Sequence, residues 1–150
     1  MRLILQRVSS SSVLIDHKDR NSIGRGLTIL VGICDEDTQE DIDWLVRKTI
    51  NMRIFPDENG VMNKSILDIE GEFLVISQFT LYASVKKGNR PSYIRSSKPD
   101  FSEPMYENFV ETLCKESNLV VQTGKFGSDM QVSIENDGPV TIFIDSHNKE

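Results

Sequence analysis

Apolar residues recur at every second position over several short stretches of the chain, and this is the period of a half-buried β-strand. Residues 2–8 show this alternation, and residues 12–16 resume it after a serine-rich segment that predicts a turn. We therefore expect the chain to open with an antiparallel pair of strands. Further strand-like runs are residues 27–33, 53–55, 72–81, 119–122, 130–134 and 140–144.

The hydrophobic period changes to that of a helix in two segments. Asp37 or Thr38 can cap the first helix, whose apolar side chains recur at helical spacing as far as Met52. Pro99 and Pro104 flank the start of the second helix. The buried face of this second helix is expected to contain Met105, Phe109, Leu113 and Cys114.

Strands outnumber helices, and most links between strands are short. The sequence therefore predicts an α+β fold, with an antiparallel sheet curled into a barrel-like core and two main helices packed at one side. The 150 residues are 38% hydrophobic, which suits a single domain over residues 1–150. No segment contains the roughly 20 apolar residues that span a bilayer, and no signal peptide is visible, so we expect a cytoplasmic protein without membrane contact.

The cysteines and histidines show no pattern of a disulfide framework or a metal site. Cys34 and Cys114 fall in separate apolar segments, and we expect both to be small buried residues. His17 and His147 lie near opposite ends of the chain and have no cysteine or histidine at metal-binding spacing. We therefore predict no structural zinc and no cofactor.

The net charge of -6 argues against a general nucleic-acid coat, which would need a basic surface. Residues 73–99 depart from this balance, because they contain no aspartate or glutamate. The basic residues of this stretch are Lys86, Lys87, Arg90, Arg95 and Lys98. Two interpretations stay open, namely a solvated loop and a local patch that binds phosphates.

Polar residues close the strand predicted over residues 72–81. Ser77, Gln78 and Thr80 are placed at the rim of a core, where pockets usually form. A hydroxyl nucleophile needs a base, usually histidine, within hydrogen-bond reach. Neither histidine is predicted to approach this rim, and the surrounding stretch has no acid. These residues therefore either make edge hydrogen bonds or position a substrate that supplies much of the proton chemistry itself.

A turn is predicted between the last two strand-like runs. Asn136, Asp137 and Gly138 tolerate positive φ and favour a hairpin there. Pro139 has no N–H for a ladder, so it opens the second strand or lies on an edge. Gly138 and Pro139 would present backbone carbonyls at the tip of the hairpin. Because only roughly 5 to 6% of bonds before proline are cis in folded proteins, the residues alone predict a trans bond.

Two motifs together resemble the paired signatures of the D-aminoacyl-tRNA deacylase family. They are Ser-Gln-Phe-Thr-Leu at residues 77–81 and Asn-Asp-Gly-Pro-Val-Thr at residues 136–141. Shorter segments in the same order are also similar to the family pattern: residues 6–8, 53–55, 62–63, 90–92 and 129–133. The resemblance covers essentially the full chain. Residues 86–89 and 127–128 fit less closely, which leaves the details of tRNA contact open.

The resemblance implies an editing enzyme, a carboxylic ester hydrolase that cleaves the ester between a D-amino acid, or glycine, and the 3′-terminal adenosine of tRNA. It also implies a homodimer with active sites at the subunit interface. In this family the dipeptide matching Gly138-Pro139 is cis and enters the partner's pocket, where its carbonyls exclude an L side chain. The implied catalysis uses the 2′-hydroxyl of the terminal ribose while the protein holds the ester.

The resemblance also assigns roles to individual residues. Gln78 and the backbone of Phe79 and Thr80 would lie near the ester as oxyanion donors, with Thr80 a pocket residue rather than a certain nucleophile. The full set is Thr80 and Gln78 for catalysis, Gly138 and Pro139 for chiral selection, and Ser77, Phe79, Phe126, Met130 and Arg7 for substrate binding. Within that set, Phe126 and Met130 are expected to line an adenine pocket, and Arg7 to brace the Gly-Pro loop. Charge alone, not the resemblance, assigns the basic stretch to acceptor-stem phosphates.

Two other functions remain as alternatives. The first is a non-catalytic RNA-binding module on the same barrel. It would be favoured if the Gly138-Pro139 tip were exposed and trans, or if binding ignored the aminoacyl group. An unrelated esterase with Thr80 as nucleophile would be trapped covalently at Thr80 and would ignore the ribose hydroxyl. The sequence ranks neither amino acids nor tRNA species, and it does not separate D-amino-acid editing from glycine editing.

Overall fold

The computed structural model describes residues 1–149, which contain eight strands, two α-helices and one 3-10 helix. The strands are β1 (Arg2–Ile15), β2 (Asp19–Ile23), β3 (Gly26–Gly32), β4 (Phe55–Pro56), β5 (Met62–Lys64), β6 (Glu72–Ser77), β7 (Val121–Thr123) and β8 (Met130–Asp145). The helices are α1 (Gln39–Asn51) and α2 (Pro99–Ser117), and the 3-10 helix is Phe79–Tyr82.

Six strands form one sheet in the order β2-β1-β3-β6-β7, and β8 pairs with the other edge of β1. At the far end, the Asn21 side chain of β2 donates to the Thr123 carbonyl of β7 at 2.7 Å, so the sheet nearly closes into a barrel. The predicted α+β fold is confirmed, with one correction. The sheet is mixed, because β3–β6 and β6–β7 are parallel pairs whose long connections contain α1 and α2.

The serine-rich segment of β1 continues the strand and does not form the predicted turn. Residues 8–15 pair with β8. The hydroxyls of Ser10 and Ser11 donate across this ladder to the Glu135 carboxylate and the Ser133 carbonyl, both at 2.9 Å. Serine side chains that suggested a turn therefore support cross-strand pairing instead.

The predicted C-terminal hairpin is also wrong. Both halves of β8 pair with β1, since Thr141 lies opposite Gln6 and Asn136 lies opposite Val8. Residues 137–140 therefore bulge out of the ladder opposite the single residue Arg7. Pro139 interrupts no ladder hydrogen bond at this position, because the bulge needs no N–H from it.

Alternate side chains of β6 pack into two different cores, which explains its continuous apolar sequence. Phe73 and Val75 pack with β1, β3 and both helices in the larger core. Leu74 and Ile76 pack with the second half of β1 and with β2 in the smaller core. Both helices therefore cover one side of the sheet, as predicted.

The helix boundaries follow the capping signals. Thr38 precedes α1, and its backbone N–H and hydroxyl donate to the Asp41 carboxylate at 2.8 and 3.0 Å. Pro99 opens α2, where its fixed φ suits the first helical position. Among residues 1–149, no helix is long and apolar enough to cross a bilayer.

The prediction that both cysteines are buried is half right. Cys34 is buried, whereas Cys114 is exposed, and both are free thiols. Cys114 follows the fully buried Leu113 on α2. One residue advances a helix by about 100°, which carries Cys114 out of the buried face.

The strand predicted over residues 72–81 ends four residues early, at Ser77. Residues after Gln78 form the 3-10 helix, in which the Leu81 N–H donates to the Gln78 carbonyl at 3.2 Å. This helix packs closely on Gly32, where an added Cβ would lie 2.8 Å from the Leu81 Cβ. The short strand predicted over residues 53–55 also differs, because the observed strand β4 contains only Phe55 and Pro56.

Gly26 gives a direct test of the β3–β6 pairing. A Cβ at Gly26 would lie 1.8 Å from the Glu72 carbonyl oxygen, so Gly26→Ala must push the two strands apart. We expect a loss of about 3 kcal/mol in the free energy of unfolding, measured by urea denaturation. Gly24→Ala is the matched control, because its Cβ would meet only the Glu72 carboxylate at 3.7 Å. Equal stabilities of the two variants would contradict this register.

Candidate active site

The end of β6 is fixed by its neighbour in the sheet. Ser77 lies opposite Val31 of β3, and the Gln78 N–H donates to the Val31 carbonyl at 2.7 Å. The Gln78 side-chain amide then donates to the Thr80 hydroxyl oxygen at 2.6 Å. Ser77, Gln78 and Thr80 are all partly exposed. The structure therefore brings the three predicted polar side chains to one rim.

Two backbone N–H groups stand at the start of the 3-10 helix. The first bond of this helix runs from the Leu81 N–H, so the N–H groups of Phe79 and Thr80 precede it. The first N–H groups of a helix have no acceptor within the helix itself. Such donors suit an oxygen atom that gains negative charge during a reaction.

The Val75 carbonyl anchors this end of β6 to two other elements. It accepts hydrogen bonds from the Tyr106 hydroxyl at 2.8 Å and from the Gly124 N–H at 3.0 Å. Burial raises the pKa of Tyr106, so its hydroxyl stays protonated and continues to donate. Two bonds to one carbonyl hold α2 and the segment after β7 against the site.

Phe126 and Met130, the predicted lining of an adenine pocket, lie on this same side of the site. The Phe126 ring packs on Tyr106 with centroids 6.0 Å apart. Met130 covers Gly124, where an added Cβ would lie only 2.3 Å from its sulfur. Phe126 and Tyr106 line an open groove of about 740 Å³ between α2 and residues 121–126. Whether adenine occupies this groove stays a prediction.

Phe79 belongs to an exposed apolar surface rather than to the core. Its side chain is 56% exposed and meets the edge of the Tyr93 ring, with centroids 5.1 Å apart. Ile94 follows at 91% exposure. Aromatic and aliphatic side chains so close to the candidate site leave an apolar surface that another molecule could cover.

The bulge of β8 is held from below by Arg7, which is 8% exposed. Arg7 Nη1 donates to the Ile54 carbonyl at 2.6 Å, and Arg7 Nε forms an ion pair with Asp137 Oδ2 at 3.0 Å. Gly138 has a φ of 116°, and an added Cβ would lie 2.9 Å from Arg7 Nη2. Arg7 therefore contacts the bulge, and glycine is the residue that fits above it. The role of Arg7 as a brace stays a prediction.

The tip of the bulge is exposed at Asp137, Gly138 and Pro139. The Asn136 side-chain amide donates to the carbonyls of Arg7 and Val140 at 3.3 and 3.2 Å, which closes the base of the bulge. The Gly138-Pro139 peptide bond is cis. The trans bond expected from general frequencies is therefore wrong, and the bond is cis, as the family resemblance implies.

The two motifs do not meet within one chain. The bulge lies at the level of Arg7, which is opposite Leu27 of β3, whereas Ser77 is opposite Val31. Four residues along a strand correspond to about 13 Å, and the three steps from β8 through β1 and β3 to β6 add about 14 Å across the sheet. The Gly138-Pro139 tip therefore lies far from the Gln78–Thr80 hydrogen bond of its own chain.

The predicted basic stretch forms an exposed loop between the 3-10 helix and α2. Ser84 and Ser92 pair across its base with hydrogen bonds of 2.7 and 2.9 Å. All five basic side chains are exposed, namely Lys86, Lys87, Arg90, Arg95 and Lys98. The structure thus presents them to solvent on one loop that starts at the candidate site.

Sequence reasoning missed two features of this region. Tyr106 was not singled out, although it stands one helical turn before Phe109 and Val110 on α2. The second feature is a group formed by the buried Cys34 and Asp37 and the exposed His147. No local spacing could indicate it, because His147 is 113 residues away from Cys34.

Comparison with known proteins places this geometry in a family. The family described as D-Tyr-tRNA(Tyr) deacylase matches residues 4–145. A D-aminoacyl-tRNA deacylase of Flavobacterium johnsoniae is 61% identical over 150 residues, covering 100% of both chains. The D-aminoacyl-tRNA deacylase of Parabacteroides distasonis is 58% identical over the same length, again with 100% coverage of both chains.

Two solved structures share the fold of this chain. The structure of a c-Myc DNA unwinding element binding protein has a TM-score of 0.89 at 42% identity and covers 97% of this chain and 98% of its own. A probable eukaryotic D-amino acid tRNA deacylase has a TM-score of 0.83 at 19% identity over 95% of this chain and 97% of its own, which shows the shared fold. The family match and the relatives identify the chain as a hydrolase. The chain belongs to the D-Tyr-tRNA(Tyr) deacylase family, as its motifs predicted.

Proposed function

We propose that this chain hydrolyses the ester of D-aminoacyl-tRNAs and of mischarged glycyl-tRNA, and rejects L-aminoacyl-tRNAs. The observation that carries the proposal is the neutral polar rim formed by Ser77, Gln78 and Thr80 in a chain of this family. The aminoacylated 3′ end of tRNA is the substrate, and no cofactor takes part. Because aminoacyl-tRNAs are made and used in the cytoplasm, we place the enzyme there.

The chemistry relies on the substrate as well as on the protein. The Thr80 hydroxyl oxygen accepts a hydrogen bond from the Gln78 side-chain amide. An amide cannot take up the proton of the Thr80 hydroxyl as a base would. The 2′-hydroxyl of the terminal ribose therefore assists attack on the ester. Gln78 and the backbone N–H groups of Phe79 and Thr80 stabilise the negative charge that develops on the carbonyl oxygen. Ser77 and Phe79 position the aminoacyl end, and Phe126 and Met130 hold the adenine.

The partner subunit completes the pocket. The Gly138-Pro139 tip is exposed and lies far from the Gln78–Thr80 rim of its own chain, so a second copy is needed to bring the two motifs together. The two sites of such a homodimer are equivalent by two-fold symmetry. Backbone carbonyls at the tip exclude an L side chain, whereas glycine has no side chain to exclude. Arg7 keeps the tip in place.

The first test is deacylation of matched D-tyrosyl-tRNA and L-tyrosyl-tRNA at low enzyme concentration, with Thr80→Ala alongside. We expect the D ester to be hydrolysed on the order of 100-fold faster than the L ester. Thr80→Ala should stay within about tenfold of wild type, because removal of a true nucleophile costs on the order of 10⁴-fold or more. Inactivity of Thr80→Ala with a trapped adduct in wild type would favour the Thr80 esterase. Survival of both esters would favour a binding module.

A second test asks whether the pocket is shared between subunits. Gln78→Ala damages the rim, and Gly138→Ala damages the tip, because its Cβ would meet Arg7 and Val140. Unfolding and refolding the two inactive variants together makes mixed dimers, in which one of the two shared pockets is intact. Random pairing should restore about a quarter of wild-type activity.

The same mixing gives a clear negative result. If each pocket were built within one chain, every pocket of a mixed dimer would carry one defect, and no activity would return. The matched control mixes Gln78→Ala with Thr141→Ala, a β8 variant outside the bulge. This mixture measures the activity that returns when the tip is undamaged in both subunits. Size measurements must show that each variant still assembles.

The basic loop binds acceptor-stem phosphates in this proposal. Replacing Lys86 and Lys87 with alanine should weaken tRNA binding. It should also reduce the slope of log affinity against log salt by about 1 for each phosphate that the loop no longer neutralises. Lys18→Ala is the control, since Lys18 is exposed on the turn between β1 and β2. An unchanged slope in the double variant would show a loop that serves only solubility.

A further inference from the structure

Three side chains of different chemistry meet behind the 3-10 helix. Cys34 Sγ lies 3.5 Å from Asp37 Oδ1 and 3.8 Å from His147 Nε2, and the latter two atoms are 2.8 Å apart. Cys34 and Asp37 are buried, and the His147 side chain is 38% exposed. Thiolate, carboxylate and imidazole are the three ligand types that zinc uses in proteins.

The spacing of these atoms is close to that of a coordination shell. Zinc with Zn–S near 2.3 Å and Zn–N or Zn–O near 2.0 Å holds tetrahedral ligand atoms about 3.3 to 3.6 Å apart. The two distances from Cys34 already approach this range. The distance between His147 Nε2 and Asp37 Oδ1 is too short, and it must lengthen by about 0.5 Å. Of the described residues, these three form a group whose ligand atoms lie within 4.8 Å of one another.

The backbone holds the ligands in place before any metal binds. The Cys34 N–H donates to Asp37 Oδ2 at 2.8 Å, and the Asp37 N–H donates to the Cys34 carbonyl at 3.2 Å, so the turn before α1 is closed. The His147 N–H donates to the Asp145 carboxylate at 3.0 Å, and Asp145 is paired with Arg2 at 2.8 Å. Little rearrangement is therefore needed.

An independent observation points into the same place. Tyr82 is 2% exposed, and its hydroxyl lies beside Cys34 without a hydrogen bond of standard geometry to any of residues 1–149. It lines a cavity of about 250 Å³ together with Cys34 and His147. A thiolate at Cys34 would accept a hydrogen bond from Tyr82 and satisfy this buried hydroxyl, as outer-shell donors commonly do for metal ligands.

The surrounding charge also suits a cation. Asp35 and Glu36 line the cavity, and both are exposed. Arg2 lines it too, but its charge is balanced by Asp145, while Arg95 is exposed to solvent. The Asp37 carboxylate already pairs with the Met1 ammonium and accepts the Cys34 N–H, and a carboxylate has about four acceptor positions. The position on Asp37 Oδ1 that His147 now uses is the one that a metal would take.

We propose that Cys34, Asp37 and His147 form a zinc site with the fourth coordination position open to the cavity, where a water molecule completes the shell. Zn²⁺ replaces the thiol proton: the S–H bond of Cys34 breaks, a Zn–S bond forms, and one proton leaves to the buffer. Neutral His147 moves its single ring proton from Nε2, where it faces Asp37 Oδ1, to Nδ1 and ligates through Nε2, so no second proton is released. This proposal departs from the expectation of no structural zinc, which depended on local spacing alone.

The proposed zinc site supports the 3-10 helix that carries part of the candidate active site. Tyr82 is the last residue of the 3-10 helix that carries Thr80, and Arg2 donates to the Leu81 carbonyl at 2.9 Å. Metal binding fixes the end of this helix from behind. The zinc proposal stands apart from the deacylase proposal, because its test reads metal binding and not turnover.

The test uses reduced, metal-free protein titrated with Co²⁺, which reports thiolate ligation through a sulfur-to-cobalt charge-transfer absorption. Wild type should bind one Co²⁺ per chain with this absorption, and Zn²⁺ should displace it. Cys34→Ala should abolish the absorption, and His147→Gln should weaken binding by at least about tenfold. Cys114→Ala is the matched control, since Cys114 is an exposed free thiol elsewhere, and it should bind as wild type does.

Metal-dependent stability provides a second readout. Zn²⁺ should raise the unfolding midpoint of wild type and of Cys114→Ala, with no such rise in Cys34→Ala. Metal-free unfolding midpoints show whether each variant is folded before the titration. Absence of the charge-transfer absorption in wild type, or its disappearance in Cys114→Ala with retention in Cys34→Ala, would overturn the proposal. The group would then be a polar anchor for the Met1 ammonium.

Discussion

The pairing of β1 along both of its edges is the constraint on which the rest of the structure depends. Its 14 residues pair with β8 on one edge, and with β3 and then β2 on the other. Because β3 sets the register of β6, the position of Ser77 follows from the same ladder. A shift of one residue would turn the buried side chains of β1 to solvent. One register therefore places both the polar rim and the bulge of β8.

Arg7 connects this ladder to the Gly138-Pro139 bulge, because it is the residue that the bulge spans. A buried guanidinium needs fixed acceptors, and the Ile54 carbonyl and the Asp137 carboxylate provide them. The same ladder also keeps the bulge and the rim on separate parts of one chain. The proposal of a shared pocket, in which a second copy of the chain brings the two motifs together, rests on this separation.

Most of the fold was predictable, because hydrophobic period and capping signals are local. The α1 boundary at Thr38 and the strand β3 followed from such signals. The hairpin at Gly138 and the turn at Ser10 failed, since both depended on which distant strand supplies the ladder. Motif resemblance located Gln78 and Thr80, whereas Tyr106 and the group at Cys34 depend on contacts between residues far apart in the chain.

The two hydrogen bonds on the Val75 carbonyl have a consequence for dynamics. Tyr106 lies in α2, Gly124 follows β7, and Val75 itself belongs to the larger core. Residues 77–80 therefore cannot swing away as a loop does, since the strand that carries them is tied to elements that separate only when the core opens. Local opening of low free energy is therefore disfavoured at Val75 and the end of β6. The position at which the rim begins is fixed by the core, and we expect it to persist when no substrate is bound.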